Sequence, residues 1–133
     1  MELCPVVHFE LPAKDRKRSS QFYSKVFGWK AQQMGAEMGN YIVLQTTETD
    51  EKGMIKKPGA INGGIYESTD DELSQHPSVV ISVSNLESFM EKVKQEGGKI
   101  HGEPQDIPGV GRFVSIVDTE GNRISILQPL KMV

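Results

Sequence analysis

The segment Val6-Val7-His8-Phe9-Glu10-Leu11 alternates apolar and polar residues with period two. That pattern predicts a half-buried strand with Val7, Phe9 and Leu11 on one face and His8 and Glu10 on the other. After Pro12, Asp15 is a good helix N-cap, and Ser19, Phe22, Tyr23, Val26 and Phe27 recur at helical spacing before Gly28. One helix is therefore expected over roughly 15–27, ended by that glycine. Apolar and β-branched residues predict a strand over 41–46 and a short one near Gly64-Ile65-Tyr66. A charged loop from Thr47 to about Pro58 joins these two strands, and Ser68 to Pro77 reads as a polar linker.

The order then repeats about 70 residues on. Ser78-Val79-Val80-Ile81-Ser82-Val83 alternates as a strand, with Val79, Ile81 and Val83 on the core face and Ser78 and Ser82 opposite. Ser84 and Glu87 have capping-box spacing, and Leu86, Phe89, Met90 and Val93 share the face of a second helix that Gly97-Gly98 ends. A strand starting at Lys99-Ile100-His101 matches Gly28-Trp29-Lys30 in the first half. Strands over 111–117 and 123–128 follow, joined by a turn at Asp118-Thr119-Glu120-Gly121-Asn122. Gly109-Val110-Gly111 lacks a following helix and a third glycine, so it reads as a hairpin turn and not as a dinucleotide fingerprint.

Neither half has enough strands to bury its helix and sheet alone. The expected fold is α+β: two tandem βαβββ modules, about 5–67 and 77–130, forming one domain over 1–133. A curved mixed sheet surrounds a concave pocket, with the helices outside. The polar strand faces then line the pocket, which places His8, Glu10, Tyr41, Gln45, Ser78, Ser82, Phe113 and Ser125 as ligand-binding candidates.

The chain has 133 residues, 15 Lys and Arg against 18 Asp and Glu, and a net charge of −3. No segment is basic enough to track phosphates, so nucleic acid is not an expected partner, and Lys14, Arg16, Lys17 and Arg18 read as a solvated helix start. No apolar run reaches the ~18 residues of a membrane span. The single cysteine, Cys4, cannot form an intramolecular disulfide, which fits a reducing, cytoplasmic location. No histidine lies beside Cys4 in sequence, and it is given no chemical role.

His8-Phe9-Glu10-Leu11 leading to Asp15 and Phe22-Tyr23-Ser24-Lys25-Val26-Phe27-Gly28-Trp29, the Gly97-Gly98-Lys99 stop, and Asp118 to Asn122 before the last strand recur in one family in this order and spacing. Over nearly its whole length the chain resembles the glyoxalase/bleomycin-resistance/extradiol-dioxygenase family, the vicinal oxygen chelate superfamily. The resemblance implies paired βαβββ modules, often completed by homodimerisation, around a small-molecule cavity. It also implies four metal-ligand positions. His8 matches the first; the others fall at Ser78, Ser125 and near Gln45, none of which carries an imidazole or carboxylate. His76 and His101 read as surface or strand-edge histidines. No cofactor is therefore expected, with a divalent metal held by His8 as the alternative.

His8 and Glu10 lie two residues apart on one strand face, roughly 7 Å along it, close enough to serve one substrate as acid and base or as polar anchors. Trp29 and Tyr41 offer rings that could stack on a planar ligand, although Trp29 follows a helix stop where an aromatic commonly packs the module. The expected function is binding of a small organic molecule in a pocket lacking the usual metal ligands, as in a drug-sequestering protein. Two alternatives stand beside it. One is a divalent-metal-dependent lyase or isomerase of the lactoylglutathione-lyase type, with His8 and Glu10 as catalytic candidates; the other is a non-catalytic dimeric partner-binding unit.

Overall fold

The computed structural model describes residues 2–130; residues 1 and 131–133 of the expected domain lie outside them. The elements are β1 (Val6–Ala13), α1 (Arg16–Phe27), β2 (Lys30–Gln33), β3 (Ile42–Gln45), β4 (Asn62–Glu67), β5 (Ser78–Ser82), α2 (Leu86–Gln95), β6 (Lys99–Ile107), β7 (Gly111–Val117) and β8 (Arg123–Pro129). This is the expected α+β order of two successive βαβββ modules. The chain forms two compact units, one of residues 8–77 and one of residues up to 7 together with 78 onward.

In the first unit the strand order is β2-β3-β4-β1, with β1 parallel to β4 and the other neighbours antiparallel. The helix-side core holds Ile42, Leu44 and Ile65, with Phe9, Leu11, Ala13 and Trp29 packed on it. The alternation on β1 therefore holds for Phe9 and Leu11, whereas Val7 is 38% exposed. The strand also runs two residues beyond Leu11, through Pro12 to Ala13.

In α1, Asp15 caps the N-terminus by accepting from the Arg18 amide at 3.0 Å, and Gly28 closes the helix at φ 74°, where a residue with a Cβ would be strained. The apolar stripe of α1 behaves differently from expectation. Phe22, Val26 and Phe27 are 55%, 56% and 59% exposed, and the buried position of the helix is Ser20. The sheet is met by the small side of the helix, while Phe22, Tyr23 and Phe27 pack on one another and Tyr23 stacks on Trp29 at 5.0 Å. Helical periodicity defines a stripe but not which surface covers it. Arg16 is less solvated than expected, bonding the Gly39 carbonyl at 3.1 Å and pairing with Glu67 at 3.7 Å.

The second unit repeats the layout as β5-β8-β7-β6, with β5 parallel to β8. Its core is Val83, Leu86, Val114, Ile116 and Ile126, lined by Ile81, Phe89, Met90 and Val93 among others. The row Leu11-Ile65-Ile42 of the first unit corresponds to Ile81-Ile126-Val114 here. Helix α2 is capped by Asn85, not Ser84: the Asn85 side chain accepts from the Ser88 amide at 2.9 Å. Gln128 from β8 accepts from the Leu86 amide at 2.8 Å, satisfying a second free donor of the helix start. Glu87, the expected partner in a capping box, instead pairs with Arg112.

Candidate functional site

The two faces of the first unit's sheet differ in chemistry because β4 carries two adjacent glycines. Gly63 faces the helix side, and a Cβ there would collide with the Phe9 ring. Gly64 faces the open side, and a Cβ there would collide with the Tyr41 ring. Glycine inside a strand marks close approach by another group, and here each face of β4 is overlaid by one aromatic side chain.

With no side chain at Gly64, Tyr41 lies across the backbone and reaches β1. Its hydroxyl is 3.0 Å from His8 Nε2 and also hydrogen-bonds Glu10, the residue in register with Gly64. The phenol has a single proton. Burial, the charge on Glu10 and the hydrogen bond to it all hold the Tyr41 pKa well above its usual value, so the phenol keeps its proton and donates it in a hydrogen bond to the Glu10 carboxylate. The hydroxyl oxygen then accepts from His8, which requires the Nε2–H tautomer. Burial lowers the His8 pKa to about 4, so the imidazole is neutral near pH 7. The result is a directional chain from His8 to Tyr41 to Glu10 on the open face.

Beside this chain, on the β2 side, lies a cleft of about 250 Å³ lined by Lys30, Ala31, Gln32, Val43, Gln45, Thr49 and Asn62. Asn62 is in register with His8, so the cleft and the polar chain adjoin at that strand position. The Asn62 side chain is fixed by its Oδ1, which accepts from the Thr46 and Thr47 amides at 2.8 and 3.1 Å. Gln45 Nε2 donates to the Thr47 carbonyl at 3.2 Å.

The other expected site residues lie in the second unit. Ser78 is buried and donates to the Arg123 carbonyl at 2.9 Å. Ser125 has no exposed surface and bonds Ser115 at 3.2 Å. The Ser82 amide donates to the Pro5 carbonyl at 2.9 Å, and Phe113 is half-buried on β7, opposite Gln105 and Leu127. Trp29 packs against Phe9, Tyr23 and Phe27, as a core residue does.

The first unit thus brings His8, Glu10 and Tyr41 together and puts Gln45 in the adjoining cleft. Lys30, Gln32, Thr49 and Asn62 had not been singled out from sequence. The signals for them were the alternation that turns Val43 and Gln45 to one face, and the glycine pair after Asn62.

The four positions matching the family's metal ligands fit an ion poorly. His8 Nε2 is bonded to Tyr41, Gln45 Nε2 to Thr47, and the Ser78 and Ser125 hydroxyls to Arg123 and Ser115. Two hydroxyls, one amide and one imidazole are also a weak donor set for a divalent metal. Among the described residues no three His, Cys, Asp or Glu side chains cluster as ligands.

The order of two successive βαβββ modules is the one that the glyoxalase resemblance implies. The family model of the Glyoxalase/Bleomycin resistance protein/Dioxygenase superfamily matches residues 6–126, and the chain belongs to that superfamily. It is 31% identical over 120 residues to a "Glyoxylase-like domain-containing protein" of Didymella fabae, covering 88% of each chain. It is also 30% identical over 109 residues to the protein named "Putative glyoxylase CFP32" of Mycobacterium bovis and Mycobacterium tuberculosis. That match covers 81% of this chain but only 38% of the mycobacterial protein. Among solved structures, a methylmalonyl-CoA epimerase of Streptomyces coelicolor in complex with 2-nitronate-propionyl-CoA superposes with a TM-score of 0.69. It covers 98% of this chain and 100% of the epimerase at 13% identity, a likeness of fold. Among the described residues no helix is long and apolar enough to cross a membrane.

Proposed function

We propose that the chain binds a small organic molecule on the open face of its first module, using the His8-Tyr41-Glu10 chain in place of a resident metal. The carrying observation is that chain itself. Three half-buried polar side chains are joined on one sheet face, with a cleft beside them, and polar groups so placed stabilise a fold less than apolar ones would. Perturbed titratable groups gathered at a concavity are the usual mark of a binding or catalytic site. The superfamily scaffold supports this reading without choosing a substrate, because folds of this kind host many chemistries.

Within this reading, neutral His8 and the protonated Tyr41 hydroxyl are the polar anchors for a bound ligand, and Glu10 is the group that could take a proton from it. Self-association into a homodimer and a cytoplasmic setting belong to the same proposal, the former supported by the exposed Phe22, Val26 and Phe27 of α1.

The test is a thermal-shift screen of a small-molecule library against wild type, Tyr41→Phe and His8→Ala, each first shown to fold by circular dichroism. Compounds that stabilise wild type should lose their shift in both variants. Hits unaffected by either substitution would place binding elsewhere and sink the proposal.

A further inference from the structure

We propose that the cleft formed by β2, β3 and β4 is a subsite for a small monoanionic carboxylate, with Lys30 as its charge partner and Asn62 as its oriented donor. This deepens the proposed function and rests on the reading that the open face of the first module is a binding surface.

Size comes first. At ~30 Å³ per water-sized group, 250 Å³ has room for about eight non-hydrogen atoms, the scale of a short-chain acid or of one end of a longer ligand. Charge comes next. The lining contains one cation, Lys30, and no carboxylate, and Lys30 enters no ion pair among the described residues. The nearby acid of the loop, Glu48, faces Lys56 at 3.9 Å, and Glu10 is engaged by Tyr41.

Hydrogen-bonding capacity sharpens the assignment. Because Asn62 Oδ1 is occupied by the Thr46 and Thr47 amides, its Nδ2 is the end left to serve a ligand, as a donor. Gln45 is held the other way: its Nε2 is used by the Thr47 carbonyl, leaving Oε1 as an acceptor. Donors from Lys30 and Asn62 fit a carboxylate, and the Gln45 acceptor fits a hydroxyl beside it. Val43 provides an apolar surface for a short carbon chain. The cleft has neither the arginine fork nor the helix N-terminus that phosphate dianions commonly use, and one ammonium matches a single negative charge.

The experiment is an amide-resonance titration of the full chain with sodium lactate and sodium propionate, and with the uncharged lactamide and propionamide. Wild type, Lys30→Glu and Lys30→Arg are compared. The carboxylates should move the resonances of Lys30, Gln32, Val43 and Gln45 and the amides should not. Lys30→Glu should weaken binding by about ten-fold or more and Lys30→Arg should largely preserve it, as for a charge-assisted contact. Equal response to acids and amides, or undiminished binding by Lys30→Glu, would overturn the subsite. Shifts confined to His8, Glu10 and Tyr41 would also overturn it while leaving the proposed binding face intact. A first module silent to all four probes and to the thermal-shift library would remove both.

Discussion

Substituting Gly64 by alanine should be costly for a reason that lies wholly in Tyr41. In an ordinary strand position, Gly→Ala stabilises by about 0.4–1 kcal/mol, because it restricts the unfolded chain. Here the new methyl group would overlap the Tyr41 ring, and overpacking of that kind costs about 1–3 kcal/mol. If the ring escapes by leaving the sheet, His8 and Glu10 lose their shared partner, at about 1–3 kcal/mol for a buried polar group left unmet. Set against that gain, either route leaves a net loss of up to about 2.5 kcal/mol. In a Tyr41→Ala background the ring is already gone, and Gly64→Ala should then be neutral or slightly stabilising. The coupling energy of the two substitutions, the clash cost alone, should therefore be about 1–3 kcal/mol. Urea unfolding followed by fluorescence of Trp29, the chain's single tryptophan, reports on this unit, because Trp29 packs on its core. Equal effects of Gly64→Ala in the two backgrounds would refute the account of how Tyr41 is seated.

His8 predicts a pH dependence. Its folded pKa of about 4 lies below the ordinary 6.5, so the unfolded chain binds the extra proton first. Stability is fully present above pH 6.5 and falls as pH drops toward 4, by up to about 3 kcal/mol at ~1.4 kcal/mol per unit. His8→Gln should flatten that slope in urea midpoints measured between pH 7 and pH 4.5; an unchanged slope would mean that His8 is solvated. Asn85→Ala should cost about 1 kcal/mol of stability as a lost N-cap, while Ser84→Ala should cost nearly nothing, and the reverse order would reinstate Ser84 as the cap. Phe22→Ser combined with Phe27→Ser should reduce the mass measured by light scattering if α1 forms the homodimer contact, and an unchanged mass would exclude that face.

Much of the fold was legible because its signals are local. Asp15 and Gly28 bracket α1 as read, and Phe9, Leu11, Ile81 and Val83 take the core side that alternation assigns. Competition between neighbours was harder to read: Ser84 and Asn85 are both good caps, and only the backbone at Asn85, with its reach to the Ser88 amide, decides between them. The exposed aromatic stripe of α1 shows the same limit, since spacing cannot tell which surface a face meets.

For the candidate residues His8, Glu10 and Tyr41, the side chains were legible and their connection was not. His8 and Glu10 were paired from strand geometry, and Tyr41 was noted as a ring that could stack on a ligand. That Tyr41 instead links the two depends on the parallel register of β1 with β4, which sets Gly64 opposite Glu10 across some fifty residues of chain. No local pattern encodes that pairing. Lys30 and Asn62 meet in one cleft for the same reason, each coming from a different strand.

The most direct test of the central claim is metal content. The protein would be purified without chelators and dialysed against a mixture of nickel, zinc, iron and manganese, and elemental analysis then run on wild type and His8→Ala. With His8, Gln45, Ser78 and Ser125 all bonded elsewhere, the account predicts no stoichiometric ion in either protein. One ion per chain in wild type that disappears in His8→Ala would contradict it and make the metal-dependent lyase or isomerase the better reading.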